Sequence, residues 1–108
     1  MKRKIVYICS PLRGDVERNS ERAARFCQFA YEKGCVPIAP HLYFQMFLDD
    51  FDPKERKAGM AMGNILLKHC DEIWVFGPTI SEGMQKEIVT AVKNGIKTRY
   101  FDTCGGAV

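Results

Sequence analysis

Several features that commonly reveal a function are missing from this sequence of 108 residues. It contains neither G-x-G-x-x-G nor G-x-x-x-x-G-K followed by Ser or Thr, so a dinucleotide cofactor or an ATPase lacks its usual support. No apolar run reaches the length of a membrane span. The basic start, Met1 to Lys4, precedes an apolar run that ends at Cys9, which is too short for a signal peptide. We therefore expect a cytoplasmic protein.

An excess of charge of one sign is also missing, because 16 Lys and Arg oppose 13 Asp and Glu for a net charge of +3. So small and scattered a surplus suits neither a nucleic-acid polymer nor a membrane surface, although it is compatible with a small anionic ligand. The length allows one hydrophobic core. We expect a single domain over residues 1–102 and a flexible tail over residues 103–108.

Cysteine is present five times, but the count is odd and no pair has C-x-x-C or zinc-ligand spacing. The sequence therefore predicts free thiols in a reducing compartment, and neither a metal nor a cofactor. Cys9 closes a strand near the expected site, where core packing is the favoured interpretation over an activated nucleophile.

Short apolar runs alternate with helical segments along the chain. The strands are expected at Ile5–Cys9, Cys35–Ala39, Glu72–Phe76 and Ile96–Phe101, and the main helices at Val16–Lys33, Pro53–His69 and Ser81–Asn94. A loop at Pro40–Phe44 is expected to lead into a short helix ending at Leu48. This order predicts an α/β protein, a three-layer Rossmann-like or flavodoxin-like sandwich with a four- to five-stranded parallel sheet.

The helical spacing also predicts which faces are buried. The expected inner faces are Ala23, Ala24, Cys27, Ala30 and Tyr31 in the first main helix, Ala58, Met62, Ile65, Leu66 and His69 in the second, and Met84, Ile88, Ala91 and Val92 in the third. Phe26 and Phe29 fall outside the first stripe, so they are interpreted as a subunit contact or as a satellite cluster under a loop.

Ligands of open parallel sheets bind beyond the carboxyl ends of the strands. Arg13 beside Gly14 can close on a phosphate or carboxylate there, or it can be a surface arginine in a turn. Ser81 begins a helix whose free N–H groups form a generic anion site. His41 can act as a general base, although a hydrogen-bonding loop residue is the commoner case. Glu87 can point into the crevice, but spacing alone favours a solvated residue paired with a neighbouring lysine.

Three segments resemble the nucleoside 2-deoxyribosyltransferase superfamily, with its 2′-deoxynucleoside 5′-phosphate N-hydrolases as cousins: Val6–Gly14, Cys70–Phe76 and Ser81–Ile88. The resemblance extends from Ile5 to Phe101 and implies the same α/β fold. It also implies a small nucleoside or nucleotide substrate and an oligomeric protein, and the short chain, without a lid of its own, leads us to expect at least a homodimer.

The resemblance further implies roles for individual residues. Glu87, four residues after Gly83, matches the nucleophile, and Tyr7 matches the residue that orients it. Arg13 and Ser81 match residues that hold the 5′-phosphate. The other phosphate serine falls at Pro11, with Ser10 adjacent.

One departure from the family's pattern leaves two functions open. The second catalytic carboxylate of the superfamily falls at Gly63, with Asn64 beside it, and neither side chain is an acid. The resemblance implies an N-glycosidase or deoxyribosyltransferase that breaks the N-glycosidic bond of a (deoxy)nucleoside 5′-phosphate, in which case His41, Asp49 or Asp50 protonates the departing base. The alternative is a module that senses or sequesters a nucleotide without cleaving it.

Overall fold

The computed structural model describes residues 2–102, so the expected flexible tail lies outside the described residues. Helices and strands follow the order β1 (Ile5–Cys9), α1 (Val16–Glu32), β2 (Val36–Ile38), α2 (Pro40–Phe44), α3 (Pro53–Lys68), β3 (Glu72–Phe76), α4 (Glu82–Lys93) and β4 (Lys97–Phe101). The strands form a parallel sheet in the order β2-β1-β3-β4. The predicted α/β class and parallel sheet are confirmed.

Alternation of side chains along the central strands creates a core on each face of the sheet. Val6 and Ile8 of β1 pack with residues of α1, whereas Tyr7 and Cys9 pack with residues of α3 and α4. The same alternation in β3 sends Trp74 and Phe76 to the α1 side, and Ile73 and Val75 to the other. The sheet is therefore the middle of three layers.

The chain reverses its winding direction at the two central strands. The helix that follows β1 covers one face of the sheet, and the helix that follows β3 covers the other. A crevice forms where such neighbouring connections diverge, outside the carboxyl ends of the strands. In this chain that position is the edge formed by the ends of β1 and β3.

Helix ends largely agree with the capping residues read from the sequence. The Asp52 side chain accepts a hydrogen bond from Lys54 N at 3.0 Å, directly before Pro53 at the first position of α3. Ser81 Oγ accepts one from Met84 N at 3.2 Å, which caps α4. Pro40, like Pro53, stands at the first position of a helix, so α2 starts where a loop was expected.

The buried face of α1 differs from the predicted one. Phe26 is 6% exposed and stacks on Phe76 with ring centroids 4.2 Å apart, and Phe29 packs edge-on against Phe101. Ala24 and Tyr31, which were predicted to be buried, are exposed. The interpretation of the phenylalanines as a subunit contact was wrong, because burying two phenyl rings removes more apolar area from water than burying the smaller residues of the predicted stripe.

The predicted inner face of α3 was also wrong. Its buried residues are Gly63 and Leu67, whereas Ile65 is 58% exposed and His69 lies exposed at the helix end. The first part of α3 lies along the crevice instead of over the sheet, so sheet packing does not set its pattern. In α4, Met84, Ile88 and Ala91 are buried as predicted and Val92 is exposed. No helix within residues 2–102 is long and apolar enough to cross a membrane.

The assignment of Phe26 to the core can be tested by mutation. We expect Phe26→Ala to lower the free energy of unfolding by about 3–5 kcal/mol, because it removes a stacked ring from a closely packed interior. Tyr31→Ala, on the same helix but 64% exposed, should change it by no more than about 0.5 kcal/mol. Urea denaturation measures both values, and equal effects would contradict the observed face of α1.

Candidate active site

A cavity of about 300 Å³ occupies the crevice at the ends of β1 and β3, where the chain reverses its winding direction. Its walls come from the end of β1 and the loop after it, from α2, from the first part of α3 and from the start of α4. The cavity brings together seven residues to which the sequence assigned a catalytic or binding role: Tyr7, Ser10, Arg13, His41, Ser81, Gly83 and Glu87. Gly14 is not part of the lining, and its φ of 94° identifies it as a turn residue instead.

The centre of the cavity is a hydrogen bond between two residues that are 80 positions apart in sequence. The Tyr7 hydroxyl donates to Glu87 Oε2 and so joins β1 to α4. Burial, followed by the adjacent Glu87 charge and this hydrogen bond, raises the pKa of Tyr7 far above its usual value. The phenol therefore remains a proton donor and fixes one carboxylate oxygen.

The other oxygen of Glu87 has a weaker partner. Cys9 Sγ donates a hydrogen bond to Oε1 at 3.4 Å. Burial of the thiol, and then the adjacent Glu87 charge, raise the pKa of Cys9 well above its usual value. Burial also raises the pKa of Glu87 itself, and the hydrogen bonds from Tyr7 and Cys9 only partly offset this effect. Glu87 is half-buried and bonded to Tyr7 and Cys9, and Lys86 pairs with Glu82 instead, at 3.4 Å, so the interpretation of Glu87 as a solvated residue paired with a neighbouring lysine was wrong.

A second carboxylate, that of Glu72, shows what distinguishes Glu87. Glu72 is buried but accepts hydrogen bonds from Lys4 and Trp74 and pairs with Arg99 at 3.1 Å. Burial alone would raise the pKa of Glu72, but the hydrogen bonds from Trp74 and Lys4 and the charges of Arg99 and Lys4 outweigh it and lower the pKa. Among residues 2–102 the hydrogen-bond donors to Glu87 are the neutral side chains of Tyr7 and Cys9, and no Lys or Arg forms an ion pair with it. A poorly solvated carboxylate of this kind at a cavity is a candidate reactive group.

Gly63 of α3 lies against the hydroxyl of Tyr7. A Cβ atom added at this glycine would be 3.3 Å from Tyr7 Oη, which is closer than most such contacts. The absence of a side chain therefore leaves room for the phenol at the position where it meets Glu87. No acid can be supplied from position 63, and Asn64 beside it also lines the cavity.

His41 and Ser10 form a polar pair at the end of β1. Ser10 Oγ lies 3.1 Å from His41 Nε2. Burial lowers the pKa of His41 to about 4, so the ring is neutral near pH 7. In this state His41 can orient Ser10 or a ligand by hydrogen bonding, but the imidazolium needed to protonate a departing base is scarcely populated.

Arg13 and Asp50 meet at the cavity with Nε and Oδ2 separated by 2.9 Å. Asp50 was one of the acids considered for proton delivery, and its carboxylate is engaged by this guanidinium. Asp49, the alternative, is not part of the lining and accepts a hydrogen bond from Phe51 N.

Apart from Gly63 and Asn64, sequence reasoning missed the contribution of α3 to the site. Arg56, Met60 and Asn64 line the cavity at a spacing of four residues, together with Glu55 and Gly59. Because residues four apart lie on the same face of a helix, this spacing of mixed polar and apolar side chains could have indicated a helix face that lines a ligand site. Among the described residues 2–102, no group of three or more His, Cys, Asp or Glu side chains has the arrangement of a metal site.

Comparison with solved structures identifies the class of fold. The chain superposes on a 2-deoxyribosyltransferase from Bacillus psychrosaccharolyticus with a TM-score of 0.74 and 14% identity, covering 96% of this chain and 76% of that one. For a 2-desoxiribosyltransferase from Leishmania mexicana the TM-score is 0.59 at 20% identity, with 92% and 64% covered. A conserved protein from Enterococcus faecalis V583 gives 0.58 at 20% identity, with 93% and 64% covered.

These likenesses confirm, at the level of the fold, the resemblance seen in the sequence: this is an α/β protein with the 2-deoxyribosyltransferase fold. The chain spans about 64% of the length of the last two structures. A family model described as Domain of unknown function (DUF7768) matches residues 4–101, and the chain belongs to that family. No curated protein matches the sequence.

The raised pKa of Glu87 predicts a pH-dependent effect of Glu87→Gln on stability. The folded chain retains this proton to higher pH than the unfolded chain, so the corresponding stability is complete at low pH and is lost as the pH rises through the raised pKa. Glutamine carries no such loss. We therefore expect the Tm of Glu87→Gln minus that of the wild type to increase between about pH 4 and about pH 8.

Thermal denaturation across that pH range measures the difference. Gln85→Ala, a change at an exposed residue of the same helix that involves no titratable group, should show no such increase. A Tm difference for Glu87→Gln that does not vary with pH would contradict the raised pKa.

Proposed function

We propose that this protein cleaves the N-glycosidic bond of a nucleoside or 2′-deoxynucleoside 5′-phosphate, with Glu87 as the nucleophile. The observation that carries the proposal is the carboxylate of Glu87, which lines the cavity and accepts hydrogen bonds from Tyr7 and Cys9. The fold that the chain shares with 2-deoxyribosyltransferases supports a nucleoside-related substrate. A cavity of about 300 Å³ is at the small end of ligand sites and suits a compact substrate.

The chemistry follows from the two differently held oxygens of Glu87. Oε2 accepts from the Tyr7 phenol, whereas Oε1 has only a weak thiol donor and keeps electron density for attack. As the C–N bond to the base breaks through an oxocarbenium-like transition state, a Glu87 oxygen forms a C–O bond to the anomeric carbon. The base leaves with the electron pair of the broken bond and takes a proton from water. Water or a second base then displaces Glu87 from the ester.

The phosphate-binding roles expected from the sequence remain part of the proposal. Arg13 supplies a guanidinium at the cavity, and Ser81 lies at the N-terminus of α4, where free N–H groups and the helix dipole favour an anion. Ser10 and neutral His41 add hydrogen-bonding groups beside Arg13, and Gly83 leaves the helix start open to the ligand. A deoxyribose offers few hydroxyls to hold, so binding at its 5′ end increases in importance.

A second function is favoured by one specific observation. Gly63 provides no acid where the resemblance leads one to expect a carboxylate, and it lies against Tyr7. A module that binds a nucleotide without cleaving it would need Arg13 but not the nucleophilicity of Glu87. The two functions therefore differ in how they respond to the same pair of mutations.

Replacing the nucleophile tests the enzyme directly. We expect Glu87→Gln to reduce base release by at least about a thousandfold, because the amide cannot form the ester intermediate. The measurement is chromatographic detection of free base from a panel of nucleosides and their 5′-monophosphates, with calorimetry to show that binding persists. Glu32→Gln, the same change at an exposed residue of α1 outside the cavity lining, serves as the control that leaves the nucleophile in place.

The outcomes separate the two functions. Base release that depends on Glu87 supports the glycosidase or transferase. Tight nucleotide binding without release, lost in Arg13→Ala and unaffected by Glu87→Gln, supports the binding module. Release that persists in Glu87→Gln would show that the nucleophile is misassigned.

We also propose that the protein works as a homo-oligomer in the cytoplasm. Large apolar side chains are exposed on α2 and the connection to α3, next to the cavity: Tyr43, Met46, Phe47 and Phe51. The described cysteines, Cys9, Cys27, Cys35 and Cys70, are free, which is compatible with a reducing compartment. Light scattering coupled to size-exclusion chromatography measures the mass, and a monomer would contradict the oligomer.

A further inference from the structure

The ion pair between Arg13 and Asp50 joins two segments on different sides of the cavity. Arg13 belongs to the loop after β1, and Asp50 belongs to the connection between α2 and α3. Their atoms Nε and Oδ2 are 2.9 Å apart, and both residues line the cavity. A carboxylate of this chain thus occupies the guanidinium to which the proposed function assigns the 5′-phosphate of the substrate.

Asp50 differs from the acidic residues around it. Asp49 Oδ1 accepts from Phe51 N at 2.9 Å, and Glu55 Oε1 accepts from Asp49 N at 2.7 Å. The Asp52 side chain caps α3. These three carboxylates hold the backbone of their own segment, whereas the Asp50 carboxylate reaches across to Arg13.

Carboxylate and phosphate oxygens make the same charge-assisted hydrogen bonds to a guanidinium, so a fully bound phosphate and Asp50 compete for Arg13. We propose that Asp50 is a specificity-determining residue that competes with the 5′-phosphate for Arg13 and thereby reduces the preference for phosphorylated over unphosphorylated ligands. This inference rests on the proposed function, because it takes Arg13 as the residue that receives the phosphate.

The direction of the effect follows from whether the bound ligand leaves the Arg13–Asp50 ion pair intact. A ligand without a phosphate leaves Arg13 paired with Asp50, so no cation in the cavity loses its partner. A phosphorylated ligand must displace the Asp50 carboxylate and places its own negative charge near it. Because the Arg13 and Asp50 side chains are 52% and 42% exposed, the competition is screened by solvent and its effect is modest.

A binding experiment that does not depend on turnover tests the inference. The probe is 2-deoxyribose 5-phosphate, which carries the phosphate without any base, and 2-deoxyribose is its phosphate-free counterpart. Affinities are measured by NMR titration for the wild type, Asp50→Asn, Arg13→Gln and the double variant. Asp49→Asn is the matched control, because its carboxylate binds only its own segment.

We expect Asp50→Asn to bind 2-deoxyribose 5-phosphate about two- to fivefold more tightly than the wild type, in line with an exposed ion pair. Its affinity for 2-deoxyribose should not change, and Asp49→Asn should resemble the wild type with both ligands. In the Arg13→Gln background, the gain from Asp50→Asn should disappear, because there is no guanidinium left to release.

Three results would overturn the inference: unchanged or weaker phosphate binding in Asp50→Asn, a gain that persists without Arg13, or no measurable binding of 2-deoxyribose 5-phosphate to any variant. Failure of the proposed function is recognised separately, as absence of base release that depends on Glu87. A cleavage activity that needs Glu87 but is indifferent to Asp50 would leave the proposed function standing and remove only this inference.

Discussion

The hydrogen bond from Tyr7 to Glu87 is the contact on which the rest of the site depends. It crosses the point where the chain changes from one face of the sheet to the other, and so connects the first strand to the last helix. Burial raises the pKa of both side chains, so the phenol keeps its proton, while the hydrogen bonds that Glu87 accepts from Tyr7 and Cys9 partly offset the effect of burial on the carboxyl. The glycine at position 63 leaves room for the hydroxyl, because a Cβ there would lie 3.3 Å from Tyr7 Oη and the phenol would have to shift slightly.

Much of the fold could be predicted because its signals are local. The strands are short apolar runs, and the helix starts at Asp52 and Ser81 are marked by side chains that bond to the backbone a few residues away. Parallel pairing then follows from the alternation of strands and helices, and it locates the site at the carboxyl edge of the sheet. Glu87 was assigned to the site by resemblance, since spacing alone favoured a solvated residue.

The parts that could not be predicted depend on contacts distant in sequence. The burial of Phe26 is decided by Phe76 across the layer boundary, which the spacing within one helix does not show. The role of α3 as a wall depends on where the helix lies, because a helix along a crevice needs no continuous apolar stripe. The engagement of Asp50 with Arg13 likewise depends on the course of the connection after α2, for which no periodicity exists.

Alternating side chains of β1 serve two different parts of the molecule. Val6 and Ile8 build the core beneath α1, while Tyr7 and Cys9, on the opposite face, contact Glu87. Because the side-chain period of a strand is two residues, a one-residue insertion or deletion inside β1 would move the side chains on one side of it to the opposite face of the sheet and disrupt the core and the site together. We therefore expect β1 to tolerate substitutions but not insertions or deletions. The connection that carries Asp50 has no strand register to preserve and can vary in length.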